Sequence, residues 1–307
     1  MKKKPKITII VPLGLNRELE VLESLKAQEE IVKIIIQKGT HPSKNRNKGI
    51  KKSKTSIIAF VDAHSILPRK WSKNVIDFFL KYPEVDIVGG PQLTPEDEPF
   101  FGKASGHALS SIFGSAETST RYKIKKPIFD ANEKFLTSAN LACRRKVLKK
   151  IKFDENIYPG EDPKFIADAK NAGFCIAYSP DIIAHHRRRR NLKELAKQIF
   201  YYGKTRPKKE SIIKTLAKPS FLVPSLFIIY LLLLPTLFLL HYLFIIPLGI
   251  YIFLNLTFSL YESLKNNSLK AFFVLPFIFF TIHIAYGLGF ITGMFQKIFW
   301  KGKEELK

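Results

Sequence analysis

The stretch Ser56-Ile57-Ile58-Ala59-Phe60-Val61-Asp62-Ala63-His64 decides how this chain is read. A short apolar run rich in β-branched residues predicts a buried strand. In open α/β sheets, ligands gather where such strands end. Residues i and i+2 of a strand point the same way, so the Asp62 carboxylate and the His64 imidazole can converge on a divalent cation or a metal-bound phosphate. The same tripeptide also suits a loop cap or a solvated turn, so the rest of the chain must decide.

Working outward, strands alternate with helices. Lys6 to Val11 and Val32 to Ile36 read as strands, with a helix from Glu18 to Gln28 that carries Leu19, Leu22 and Leu25 on one face. Asn45 to Lys54 reads as a short helix leading into the decisive strand, and Trp71 to Lys81 as a helix stopped before Tyr82-Pro83. Val85 to Val88 follows as a strand, closed by Gly89-Gly90-Pro91. Leu93 to Pro127 is expected to mix loop and helix beside an active site. Ser138 to Lys150 reads as helical in its later part. A further helix starts at Gly160-Glu161-Asp162-Pro163, where a proline in the first turn is well placed, and Cys175 to Tyr178 reads as the last strand. Such alternation predicts a mostly parallel sheet in a nucleotide-binding α/β domain.

The composition then changes. Phe221 to Leu260 holds forty consecutive residues without Asp, Glu, Lys or Arg, and Ala271 to Gln296 another twenty-six. Crossing a bilayer takes about 20 apolar residues, so roughly three membrane helices are expected, at about 219–240, 243–261 and 271–296. Met1-Lys2-Lys3-Lys4-Pro5 is followed by only a short apolar run and does not read as a secretory signal peptide. Of the net +24, the part before Pro219 carries +21, from 44 of the 50 basic and 23 of the 26 acidic residues. By the positive-inside tendency that part is expected on the cytoplasmic side of a cell membrane. A basic surface favours anionic partners, and one of them is membrane lipid. Nucleic acid is not expected as a partner, because the basic residues are not interleaved with aromatics in any recognition motif. Cys143 and Cys175 lack metal-ligand spacing and read as packing residues. After the basic run His185-His186-Arg187-Arg188-Arg189-Arg190, residues 191–218 begin with Leu192, Leu195, Ala196, Ile199 and Phe200 on one face among lysines. That pattern fits an amphipathic helix on a membrane surface and also an ordinary packed surface helix.

Motif order adds a resemblance. Ile7-Thr8-Ile9-Ile10-Val11-Pro12 before Asn16-Arg17-Glu18, then Asn45-Arg46-Asn47-Lys48-Gly49-Ile50, Asp62-Ala63-His64 and Gly160-Glu161-Asp162 resembles the family 2 glycosyltransferases, which have a GT-A fold. Val88-Gly89-Gly90-Pro91, Gln198 with Tyr202-Gly203 and Arg206, and Ile284-Ala285-Tyr286-Gly287-Leu288-Gly289-Phe290 look like the succinoglycan-biosynthesis type within it. The resemblance implies a Rossmann-like GT-A domain over residues 1–190, an interfacial segment at 191–218, transmembrane helices over 219–296 and a basic tail at 297–307. It also implies a nucleoside diphosphate sugar donor, Mg2+ or Mn2+, and inversion at the anomeric carbon of the sugar. On that reading Asp62, His64 and His186 are the metal ligands. Asp162 is the general base and Glu161 orients the loop or the acceptor. Pro12, Asn16, Glu18, Gln37, Arg46, Asn47, Asp62 and Arg189 line the donor. Most of the arginine run meets anionic lipid.

Three departures from the family pattern stand out, one of them His64 in place of a second aspartate. The acidic residue that usually follows the second strand is replaced within Ile36-Gln37-Lys38-Gly39-Thr40, and Pro163-Lys164 follows Asp162 where a further acid is usual. The acceptor expected is the hydroxyl of a polyprenyl-linked or surface glycan. Two other readings stay open here: a polyprenyl-phosphate monosaccharide synthase, whose acceptor is the lipid phosphate, and a non-enzymatic, basic, membrane-anchored binding module. A processive synthase is disfavoured, since Gln-x-x-Arg-Trp is missing.

Overall fold

The computed structural model describes residues 5–30, 32–209, 213, 215 and 219–299. It divides into two compact units, Met1–Glu98 with Glu117–Arg187, and Pro99–Ala116 with Arg188–Lys307.

The first unit is built on a six-stranded sheet ordered β2-β1-β3-β7-β5-β8. Its strands are β1 (Ile7–Leu13), β2 (Val32–Lys38), β3 (Ile57–Val61), β5 (Ile87–Gly89), β7 (Asn140–Arg144) and β8 (Ile176–Tyr178). β1 pairs in parallel with β2 and β3, and β5 with β8, whereas β7 runs antiparallel to both β3 and β5. All five residues of β3 are buried. Continuous apolar runs of this kind belong to strands covered on both faces. One layer places Val11, Val61, Trp71, Val75 and Phe79 on one side of the sheet. The other places Ile10, Phe60, Phe153, Phe165 and Tyr178 opposite. Phe153 stacks on Phe165 at 4.4 Å and meets Phe60 edge-on at 5.0 Å, so the loop that carries Phe153 is anchored in the core.

Helices α1 (Val21–Lys26), α2 (Pro42–Lys52), α3 (Trp71–Lys81), α6 (Arg145–Lys150) and α7 (Glu161–Asn171) cover this sheet. α1 is shorter than the leucine spacing predicts, because Val21 N–H donates to Ala63 O at its first turn. α2 starts earlier than expected, with Pro42 in its first turn after an extended His41. α7 follows Gly160, whose φ of 112° suits glycine. Three further strands, β4 (Ser65–Ile66), β6 (Gln92–Leu93) and β9 (Ala184–His186), form a small sheet ordered β4-β9-β6. Cys175 to Tyr178 is therefore not the last strand, and β7 is a strand where only the helix after it was expected.

The second unit is helical. It contains α4 (Phe100–Ser110), α5 (Ile112–Ser115), α8 (Leu192–Thr205), α9 (Pro219–Leu240), α10 (Ile246–Lys265) and α11 (Leu275–Phe299). Three stretches, Phe221–Leu240, Tyr242–Lys265 and Leu275–Phe299, are long and apolar enough to cross a membrane. α8 opens with the Asn191 side chain accepting from Glu194 N–H. Its apolar residues Leu195 and Ile199 are buried. Of the interfacial segment, residues 210–212, 214 and 216–218 lie outside the described residues, as do 300–307 of the basic tail.

Candidate active site

β3 delivers Asp62 one residue beyond Val61, its last strand residue. The chain turns there, with Ser65 N–H donating to Asp62 O at 3.2 Å. It leaves along β4, which pairs antiparallel with β9 so that Ser65 stands opposite His186. This pairing carries His186 across 124 positions of sequence to Asp62, its Nε2 lying 3.3 Å from Oδ2. The His64 and His186 rings meet edge to face with centroids 4.4 Å apart. One ligand atom from each of Asp62, His64 and His186 lies within 4.8 Å of the others.

Arg46 on α2 ties this cluster to the start of α7. Only 4% of its surface is exposed. Nη1 donates to Glu161 Oε1 at 2.7 Å and Nη2 to Asp62 Oδ1 at 3.3 Å, while the guanidinium lies 5.3 Å from the Phe153 ring centroid. The second Glu161 oxygen accepts from Gly160 N–H at 2.9 Å. Two acids far apart in sequence are thus held by one planar fork, which a lysine could not reproduce.

The charges follow from this packing. Burial by itself raises the Asp62 carboxyl, but the His186 hydrogen bond and the electrostatic influence of His64, Arg46 and His186 prevail. They hold Asp62 well below the usual carboxylate range. Glu161 is raised, first by burial and then by neighbouring Asp162, with Arg46 opposing. Asp162 is half-buried in the first turn of α7, and its side chain makes no hydrogen bond among the described residues. An ionised carboxylate beside two imidazoles is a donor set that Mn2+ accepts, so the residues present fit a divalent cation.

The structure thus brings together Asp62, His64, His186, Arg46 and Glu161, with Asp162 next in the chain. The other residues expected at the donor are placed differently. Asn47 is turned to the loop after α6: Nδ2 donates to Phe153 O and Glu155 Oε1 at 2.8 and 2.9 Å, and Oδ1 accepts from Phe153 N–H. Pro12 stands opposite Gln37 in the β1–β2 register, and the Gln37 amide donates to Ile36 O. Asn16 and Glu18 are exposed beyond β1. Arg189 belongs to the second unit, where Nε donates to Gln198 Oε1 and the Gln198 amide in turn reaches the Tyr202 hydroxyl.

Two positioning residues escaped the sequence reading. Arg187, next to His186, grips both Asp97 oxygens at 2.8 and 2.6 Å and pairs with Glu98 and Glu20 at 3.4 Å. It is spent inside the protein and is not free to meet lipid. The available signal was the acidic triplet Glu96-Asp97-Glu98 in an otherwise basic chain. Asn140 on β7 is buried, accepting from Trp71 Nε1 at 2.9 Å and donating to Pro91 and Ile182 carbonyls. It binds the main sheet to the segment leading into β9.

An aspartate and two histidines thus converge at a strand end of an α/β sheet as a group that could hold a metal ion. Comparison with known proteins sharpens the class. Residues 16–152 match Glycosyl transferase family 2. A pre-mycofactocin glycosyltransferase from Mycobacterium tuberculosis is 27% identical over 169 residues, covering 54% of this chain and 34% of the relative. The match thus spans about a third of that relative's length. Among solved structures, the mannosyltransferase PcManGT from Pyrobaculum calidifontis, in complex with GDP-Man and Mn2+, superposes with a TM-score of 0.55 at 15% identity. It covers 96% of this chain and 89% of its own. The S. aureus protein TarS (residues 1–349), in complex with UDP-GlcNAc, gives a TM-score of 0.46 at 16% identity over 66% of each chain. The fold of the first unit is GT-A.

Proposed function

We propose that this protein is a membrane-bound inverting glycosyltransferase that moves a sugar from a nucleoside diphosphate sugar to a hydroxyl of a polyprenyl-linked or surface-glycan acceptor. The observation that carries the reading is the Arg46 fork, which joins the Asp62 cluster to the Glu161-Asp162 turn in one buried network. The family 2 match of residues 16–152 and the apolar helices beyond support it.

Asp62, His64 and His186 would hold a Mg2+ or Mn2+ ion, which when bound offsets the charge that develops on a leaving diphosphate. The chain's own residues do the rest. Asp162 takes the proton from the acceptor hydroxyl as its oxygen bonds to the anomeric carbon, and the bond from that carbon to the diphosphate breaks on the opposite face. Glu161, fixed by Arg46 and Gly160 N–H, sets the pitch of the turn that presents Asp162. His186 and His64, with Arg46, keep Asp62 ionised, and the Arg46 fork aligns it.

The test is a screen of UDP-, GDP- and dTDP-sugars with Mn2+ in detergent, reading released nucleoside diphosphate. Release from at least one donor is expected. Failure of every donor both to bind and to turn over contradicts the reading.

A further inference from the structure

The three apolar helices of the second unit do not share a direction. Phe227 of α9 packs on Tyr251 of α10 with ring centroids 4.2 Å apart, and the Tyr230 hydroxyl accepts from Leu248 N–H at 3.1 Å. These two contacts set an antiparallel register, 227 with 251 and 230 with 248, which places Pro224 level with residue 254. α11 touches both helices at that level. Gly287 lies against α9, where a Cβ would fall 2.5 Å from Pro224 O, and Ser225 Oγ donates to Gly287 O. Pro276 lies against α10, its carbonyl accepting from Asn255 Nδ2 at 3.1 Å. Pro276 and Gly287 are eleven residues apart, about 16 Å of helix. A helix running alongside the pair would meet it at depths equally far apart. α11 instead meets it at one depth and therefore lies across α9 and α10, close to the N-terminal end of α9.

The neighbours of α11 agree. α8 packs on it backbone to backbone: a Cβ on Gly289 would fall 2.0 Å from Phe200 O, and one on Gly293 2.1 Å from Lys204 O. α8 carries Lys193 and Lys197, both exposed, and Lys197 borders an apolar groove with Phe280, Ile284 and Leu288 from the middle of α11. Were α11 upright in a bilayer, these ammonium groups would sit near its midplane, where charge is costly. Laid flat, α11 turns Phe277, Phe280, Leu288 and Phe295 outward as one exposed apolar stripe, with the α8 lysines beside it at headgroup level.

We infer that α11 is an in-plane helix of the membrane interface that faces anionic headgroups together with α8, and that among the described helices α9 and α10 alone cross the bilayer. The two ends of α11 then lie on the side of the membrane where α8 lies. Lys297, Lys301, Lys303 and Lys307 then fall on the same side as the basic first unit, as the charge rule requires. The inference rests on the membrane reading but on none of the proposed chemistry, and its test needs no activity.

Sidedness is read in sealed membrane vesicles with a membrane-impermeant maleimide. Exposed Cys175 marks the side of the first unit, and buried Cys143 stays silent. Two further chains carry Cys175→Ser with either His241→Cys or Lys307→Cys. Lys307→Cys is expected to label from the same side as Cys175, and His241→Cys from the opposite side. Labelling of Lys307→Cys together with His241→Cys, from the side away from Cys175, overturns the inference. A second measurement compares Leu288→Lys with Leu232→Lys, which is 75% exposed on α9. Membrane-inserted protein is expected to fall severalfold for Leu232→Lys and to hold for Leu288→Lys. An equal fall in both overturns the in-plane placement.

Discussion

The two units are held together by opposite means. Around Asp62 the first unit buries charge and then satisfies it, with Arg46 shared between two acids, Asn140 among three partners and Arg187 among three carboxylates. The second unit instead brings backbones into contact at Gly203, Gly287, Gly289 and Gly293, where any side chain would strike a neighbouring carbonyl. Small residues at helix crossings are how apolar helices associate where water offers no hydrophobic drive. The first unit should therefore be sensitive to loss of a polar group, and the second to gain of a methyl group.

The sharpest way to separate these sensitivities is at the Glu161-Asp162 turn. Asp162→Asn is expected to cut the sugar-transfer rate by ~10²–10⁴, with thermal stability unchanged because the Asp162 side chain makes no hydrogen bond among the described residues. Steady-state kinetics alongside a melting curve checks both halves. Next comes Arg46→Met, which strands buried Glu161 without its partner and is expected to cost about 3–5 kcal/mol of stability. Chemical denaturation reads it, and a cost near zero would break the contrast from the first unit's side.

On the other side, Gly289→Val should cost about 1–3 kcal/mol through overpacking, read as a lower melting temperature in detergent, while donor-nucleotide affinity stays within about twofold (~0.4 kcal/mol). A fall in affinity as large as the fall in stability would show that the units are not separable. Smallest is the cysteine test. Burial raises the Cys143 thiol far above its ordinary value, so native protein should take up one equivalent of alkylating reagent, at exposed Cys175. Mass spectrometry gives the count, and modification of Cys143 without unfolding would show a loose core.

Much of the first unit was legible in the chain itself. The apolar runs at Ile7 and Ile57 and the Asp62-Ala63-His64 turn read directly, because buried parallel strands leave a continuous signal. β7 did not read directly, since Asn140-Leu141-Ala142-Cys143-Arg144 has no β-branched residue and lies antiparallel between two strands that do. Nor did β9, three residues long, whose pairing with β4 is nonlocal. The family resemblance implied His186 as a ligand beside Asp62, but the contact that brings them together comes from this pairing. The Arg46–Glu161 pair, 115 residues apart, is likewise set by topology and not by spacing. In the second unit, length and hydropathy give three helices of spanning size but not their directions, which depend on contacts such as Gly287 with Pro224.

The central claim is that the cluster at the end of β3 is a metal and diphosphate site. Calorimetric titration of the nucleoside diphosphate that emerges from the donor screen, with and without Mn2+, tests it on the wild type and on Asp62→Asn. The expected result is binding that requires Mn2+ and is lost in Asp62→Asn while the variant stays folded. Binding of equal strength without the ion, or undiminished in Asp62→Asn, would contradict it.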